Sequence, residues 1–254
     1  MNQNYLSGKC AVITGGGRGI GRGIALALAQ RGCAIAVNYA RHRQAAEETA
    51  AEIEALGSQA LVIKANMAAE KDVRRLVETA AQHFGGVDIF VGNAASGVLK
   101  PVLDISPKHW AWSLDVNARS ILIGSQAAAP YMRAKGWGRI LSITSIGSRR
   151  VLAEYSAVGV SKAAIEAVTR YLAVELAPAG IIANCISPGV VLTEALDFFP
   201  SKEEIIGNAQ AKTPAGRLVT PEDVGELAAW LCSDGASMIV GQTIEIDGGY
   251  TLLA

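Results

Sequence analysis

Three side chains in one stretch of the chain have the types and spacing for proton chemistry: Ser145, Tyr155 and Lys162. A phenol near an ammonium can act as a proton donor, because the cation favours the phenolate left behind. The apolar run Arg139–Thr144 ahead of Ser145 reads as a strand, and a helical pattern, Ser156–Ala177, follows Tyr155. A hydroxyl, a phenol and an ammonium therefore fall at a strand end and a helix start, where open α/β sheets place their ligands. On this stretch alone a second reading stands level with the first: Tyr155 packs and Lys162 points to water.

The rest of the chain must position these groups. Apolar strand-like runs alternate with helical patterns throughout: Lys9–Thr14, Ala34–Asn38, Ala60–Lys64, Val87–Gly92, Arg139–Thr144, Ile181–Ile186 and Thr243–Ile246 as strands. Between them lie helical patterns near Gly19–Arg31, Arg43–Leu56, Glu70–Phe84, Ser106–Ala134 and Ser156–Ala177, and Pro221–Cys232 precedes the last strand. Such alternation predicts βαβ units, a parallel sheet and right-handed crossovers. Ser106-Pro107 and Thr220-Pro221 read as helix caps followed by a first-turn proline. No linker, repeat or low-complexity tract interrupts the pattern. The expected fold is therefore α/β, a single doubly wound Rossmann-type domain over residues 1–254, with about seven strands and helices on both faces.

Bulk composition narrows the function classes. The 254 residues are half hydrophobic with a formal charge of zero, so the basic excess of a nucleic-acid binder is missing. No apolar run reaches membrane-spanning length, and the start of the chain carries no apolar signal region. Cys10, Cys33, Cys185 and Cys232 form no CxxC pair and read as buried free thiols; His42, His83 and His109 show no metal-ligand spacing. A cytoplasmic location without nucleic acid, membrane or metal is expected.

Thr14-Gly15-Gly16-Gly17-Arg18-Gly19-Ile20-Gly21 joins the first strand to the first helix. Glycines there let the backbone approach a pyrophosphate, and the helix N-terminus offers free N–H groups. A glycine-rich loop alone says little; in a strand–loop–helix context at the first βα turn it points to a dinucleotide. An NAD site would want a carboxylate at the end of the second strand. Here that end reads Asn38-Tyr39-Ala40-Arg41, with no acid before Glu47. Arg41 and Arg18 could instead grip a 2′-phosphate, which predicts NADPH (NADP+).

Together these residues resemble the classical short-chain dehydrogenase/reductase family over essentially the whole chain. Asn66, with Met67 beside it, resembles the adenine-side position, usually an acid. Gly92-Asn93-Ala94-Ala95 resembles the family's Asn-Asn-Ala-Gly with both ends altered, and Asn117 resembles the helix Asn of the catalytic tetrad. Pro188, Gly189, Val191 and Thr193 resemble the loop on the nicotinamide side, and Ile246-Asp247-Gly248-Gly249 the C-terminal strand motif. The resemblance implies that Lys162 binds the nicotinamide ribose, that Asn117 supports Lys162 through water, and that Ser145 either binds a substrate oxygen or stands by as a spectator.

One departure carries the most information. The family's Tyr falls four residues before its Lys, but position 158 is Val, and the phenol is at Tyr155. This Tyr-x6-Lys spacing resembles the enoyl-acyl-carrier-protein reductase III branch, which implies NADPH-dependent reduction of the 2,3 double bond of an enoyl thioester. On a helix, Tyr155, Val158 and Lys162 share a face, and the displacement moves the phenol roughly one turn, about 4.5 Å. In a ketone, hydride and proton go to the two ends of one carbonyl. In an enoyl thioester, hydride lands on C3 while charge develops on the more distant thioester oxygen, so a displaced phenol suits it. The alternatives are a 3-oxoacyl or carbonyl reductase with an unusual donor, or a nucleotide-binding protein without turnover.

Glu194–Arg217 carries apolar residues between polar ones and is long for a connection, so a substrate lid over about 190–217 is expected. A surface helix pair packing on the body is the other reading. Leu196 and Phe199 of the lid, Val158 and Tyr155, and Ala95 and Ser96 should line the substrate site. An acyl thioester on acyl-carrier protein is the expected partner, and basic residues at the mouth, Lys100, Arg149, Arg150 and Lys202, could meet that acidic carrier. Apolar second faces on the helices Ser106–Ala134 and Ser156–Ala177, with the family resemblance, imply a homotetramer.

Overall fold

A computed structural model describes residues 4–199 and 201–253. Met1–Gln3 at the start of the chain, Pro200 of the expected lid, and Ala254 lie outside the described residues. Seven parallel strands form one sheet: β1 (Cys10–Ile13), β2 (Ala34–Tyr39), β3 (Ala60–Lys64), β4 (Ile89–Gly92), β5 (Gly138–Ile143), β6 (Ile181–Pro188) and β7 (Thr243–Ile246), in the order β3-β2-β1-β4-β5-β6-β7. The order reverses between β1 and β4, which opens a crevice at the carboxyl ends of these strands. The expected doubly wound fold is present.

The core explains why these segments become strands. Side chains alternate along β1: Ala11 and Ile13 join one buried cluster, and Val12 joins the other. The first cluster includes Ile24 and Leu28 of α1 (Gly19–Ala29), Ile53 of α2 (Arg43–Ala55) and Val224 of α8 (Pro221–Leu231). The second includes Leu76 of α3 (Glu70–Phe84), Met132 of α5 (Ser120–Lys135) and Leu176 of α6 (Ser156–Leu176). Strands covered on both faces need apolar residues on both, which is why the central strands read as continuous apolar runs.

Both cap expectations hold. Ser106 accepts the His109 N–H at 3.2 Å at the start of α4 (Pro107–Leu114), and Thr220 and Asp223 form a capping box on α8. The helix expected over Ser106–Ala134 is instead α4, a π turn at Asp115–Arg119 and then α5. A π turn inserts one residue into the helical repeat and re-aims the side chains on it; Asn117 lies in its middle. Between β6 and α8 runs a segment with a 3-10 turn at Glu194–Phe198 and α7 (Lys202–Lys212). Its two ends meet in a parallel bridge between Val191 and Val219. Among the described residues no helix is long and apolar enough to cross a membrane, and no cluster could hold a metal ion.

Candidate active site

A cleft of about 1160 Å³ opens at the carboxyl ends of the strands and is shared by the glycine loop, the β5–α6 connection and the lid. At one end, Gly15, Arg18, Gly19, Ile20 and Gly21 form its wall. This loop is wired from below. The Thr14 hydroxyl accepts the N–H groups of Asn93 and Ala94 at 2.9 and 3.0 Å, and Asn93 Nδ2 donates back to the Thr14 carbonyl at 2.9 Å. Asn38 at the end of β2 is buried; its Oδ1 accepts the Gly15 N–H at 3.1 Å, and its amide donates to the carbonyls of Ile63 and Ala65 at 3.2 Å. Asn38 was not singled out in the sequence; a polar residue ending an otherwise apolar strand was the available signal. A Cβ on Gly21 would sit 2.2 Å from the Gly15 carbonyl, so only glycine lets α1 start this close to the loop. No side chain caps α1, and its first turn holds no acid. Its free N–H groups and the bare backbone beside them fit a pyrophosphate.

Toward the adenine end, Tyr39 is half-buried and Arg41 exposed. Arg18 has a partner that the sequence did not suggest: it is ion-paired with Glu194 at the start of the lid. Asn66 spends its polar groups locally, its Oδ1 accepting the Ala68 N–H at 3.1 Å and its own N–H donating to Asp72 at 2.9 Å, while Met67 is buried. On the far side Pro188, Gly189, Val191 and Thr193 form the wall.

The reacting end lies over β5. Lys162 is buried, and its Nζ donates to the Ile143 carbonyl at 2.8 Å. Burial pulls its pKa from 10.5 down to about 8. Tyr155 is the N-cap residue of α6, just outside the helix, so the single-face geometry expected for 155–162 begins one residue too early. Its ring lies on Gly147, where a Cβ would come 2.5 Å from the ring edge. The phenol oxygen lies 3.5 Å from Ser145 Oγ, and burial raises its pKa despite that contact. Glu154, immediately before it, has φ of 59° and is held by the Lys100 N–H on its carbonyl at 2.9 Å. From the lid, the Phe199 ring stacks on Tyr155 with centroids 5.9 Å apart and planes 28° apart. Leu196 joins it in the cleft wall, as does Ala95 opposite.

Three expected site residues sit one layer behind. Asn117 Oδ1 accepts the Ser96 N–H at 2.8 Å, and its amide donates to the Ser96 carbonyl at 2.9 Å and Ser161 Oγ at 2.7 Å. It clamps the post-β4 loop to α6 and has no direct bond to Lys162. Ser96 Oγ accepts from Trp112 Nε1 at 3.0 Å, a contact the sequence reading missed. Val158 is buried, its methyl so near Gly97 that a Cβ there would approach to 2.3 Å. Of the four expected mouth cations, Arg149 is paired with Glu166 and Glu245 and Lys202 with Asp197, Arg150 donates to the carbonyls of Thr251 and Leu253, and Lys100 is exposed. Acids neutralise Arg149 and Lys202, while Arg150, bonded to neutral carbonyls, keeps its charge.

The family model described as "Enoyl-(Acyl carrier protein) reductase" matches residues 15–251. The chain belongs to the classical short-chain dehydrogenase/reductase family. This chain is similar to 1-cyclohexenylcarbonyl-CoA reductase of Streptomyces collinus, 38% identical over 97% of this chain and 88% of that protein. It is also similar to a hydroxynaphthalene reductase-like protein, Arp2, of Metarhizium anisopliae, 35% identical over 96% of this chain and 95% of that one. Among solved structures, 7α-hydroxysteroid dehydrogenase complexed with NADH and 7-oxo glycochenodeoxycholic acid superposes with a TM-score of 0.91 at 35% identity, covering 98% of this chain and 96% of that one. A short-chain dehydrogenase of Burkholderia cenocepacia in complex with NADP gives 0.89 at 34% identity, covering 98% and 100%. The chain is thus an oxidoreductase whose glycine loop and buried lysine fit a nicotinamide cofactor.

Proposed function

We propose that the protein is an NADPH-dependent reductase of the 2,3 double bond of enoyl thioesters. The observation that carries this reading is the phenol's position: the usual spacing before Lys162 holds Val158, packed on Gly97, and the hydroxyl in the cleft is that of Tyr155. The name of the Streptomyces relative, a reductase of an unsaturated acyl-CoA, supports it.

The glycine loop and the uncapped start of α1 would hold the pyrophosphate, Arg41 with Arg18 the 2′-phosphate, and Lys162 the nicotinamide ribose. The cofactor, when bound, supplies a hydride. The Tyr155 phenol donates a hydrogen bond to the thioester oxygen, where negative charge builds as C3 is reduced. Half-buried under Phe199, the phenol stays protonated and keeps its proton for donation. The Lys162 ammonium stabilises the charge left when the phenol gives it up. Leu196 and Phe199 of the lid exclude water from the acyl group. The substrate is carried on acyl-carrier protein or coenzyme A, and the assembly is a homotetramer.

A second reading, reduction of a 3-oxoacyl or other carbonyl group, has one observation in its favour: Ser145 and Tyr155 hydroxyls lie 3.5 Å apart, close enough to share one carbonyl oxygen. Crotonyl and acetoacetyl thioesters offered in parallel with NADPH and NADH separate the two. Oxidation of NADPH by crotonyl thioester is the expected result. Turnover of acetoacetyl thioester alone sinks the enoyl reading, and a preference for NADH sinks the 2′-phosphate reading.

A further inference from the structure

One buried carboxylate takes no part in the chemistry above. Glu166 stands one helical turn beyond Lys162 on α6, and only 6% of it is exposed. Burying a carboxylate is costly unless partners replace its water. Glu166 has three. One oxygen accepts from the Thr144 hydroxyl at 3.1 Å and from the Ser148 hydroxyl; the other accepts from Arg149 Nε at 3.3 Å. The partners bracket Ser145 on both sides in the chain. They belong to the turn on which Tyr155 lies, since Gly147 is beneath the ring and the Ser148 N–H donates to the Ser145 carbonyl at 3.0 Å. Arg149 reaches on to Glu245 of β7 at 3.1 Å, and Glu245 accepts from Thr251 at 3.0 Å, next to Tyr250 in the cleft wall.

We propose that Glu166 is a positioning residue for the phenol: it fastens the 144–149 turn to the helix that carries Lys162, and so fixes Tyr155 and Lys162 relative to each other. The phenol is poorly tethered on its own account. Its hydroxyl contact with Ser145, at 3.5 Å, is long for a hydrogen bond between hydroxyls. The ring is placed mainly from beneath, by Gly147, and the Gly159 N–H holds the Tyr155 carbonyl at 2.7 Å. Freeing the turn from Glu166 therefore lets the phenol drift while leaving Lys162 and the glycine loop in place. Glutamine at 166 would keep an acceptor for Thr144 and Ser148 and lose the acceptor and the charge opposite Arg149. Alanine would lose both acceptors.

This inference rests on Tyr155 being the proton donor, but not on which bond is reduced. Its test is a double-mutant cycle of Glu166→Ala with Tyr155→Phe, with Glu166→Gln alongside, on whichever of crotonyl-CoA and acetoacetyl-CoA the wild type reduces with NADPH. Rates are taken per NADPH-binding site, so partial misfolding does not count. Glu166→Ala alone should lower kcat by about tenfold or more, with NADPH affinity within about twofold of wild type. Glu166→Gln should recover most of the loss. In the Tyr155→Phe background, Glu166→Ala should add less than about twofold, because its effect runs through the missing hydroxyl. Independent, additive losses would overturn the proposal, as would an unchanged kcat in Glu166→Ala. If the wild type reduces neither substrate, amide exchange decides: Glu166→Ala should speed exchange across 144–155 and Glu166→Gln should not. Unchanged exchange there would overturn the proposal as well.

Discussion

Lys162 shows what burial does to a single charge. Its ammonium has one carbonyl partner, at 2.8 Å, in place of water, and its pKa falls to about 8. Below that pH the group is a cation able to hold a ribose and support the phenol; above it the charge goes. The affinity of the cofactor-free protein for NADPH should therefore weaken as pH rises from 7 through about 8 to 9, which fluorescence titration would read. An affinity level across that range would mean that the charge of Lys162 does not contribute. At this scale the sequence was informative where chemistry depends on counting along the chain. The displaced Tyr155 is visible once its spacing to Lys162 is set against the usual pattern of the family that the chain resembles. The partners of Asn117, Arg18 and Arg149 were not visible, because Ser96, Glu194 and Glu245 come from other elements and only the fold brings them near.

At the scale of elements, the β5–α6 connection is built around close approach. The ring of Tyr155 can lie on the 145–148 turn only because position 147 has no side chain, and Glu154 adopts a left-handed φ of 59° to deliver it there. Gly147→Ala should push the ring off the turn and cost about 10- to 100-fold in kcat, with NADPH binding retained; equal kcat would show that the ring's seat is not critical. The sequence placed the strand end and the helix start within a residue or two. Tyr155 falls just ahead of the helical pattern from Ser156 and is its N-cap; the shared face drawn through 155–162 therefore begins one residue too early, and a cap without Ser, Thr, Asp or Asn gives no signal of that. The π turn was hidden for a similar reason: the pattern across Ser106–Ala134 is continuous, and one extra residue per turn leaves little trace in it.

The whole molecule was the most legible, since a sheet covered on both faces repeats one pattern seven times. Its interior also holds four thiols, and burial pushes Cys10 and Cys232 up to about 12, Cys185 to about 11, and Cys33 upward too. A thiol raised in the folded state stabilises fully below its ordinary value of 9.0, and that contribution is lost as pH climbs toward the folded value. Lys162 works the other way: between about 8 and 10.5 the unfolded chain holds the extra proton, so stability gains as pH rises through that window. Four thiols outweigh one lysine. Tm should change little from pH 8 to 9 and fall from 9 to 11, as scanning calorimetry would record; a level Tm to pH 11 would mean that the thiols meet water in the native state.

The bridge between Val191 and Val219 closes the neck of the lid. A loop whose ends already touch behaves as a cassette: the sheet needs its two ends kept together, and places little demand on what runs between them. Substrate range can then diverge by exchange of residues 194–218 while the cofactor half, Thr193 included, is inherited intact. Replacing that segment with a short glycine-containing turn should abolish turnover yet leave a folded protein, with NADPH affinity altered only by release of Arg18 from Glu194. Cofactor titration and circular dichroism of that deletion variant would measure how far the two halves of the site are separable.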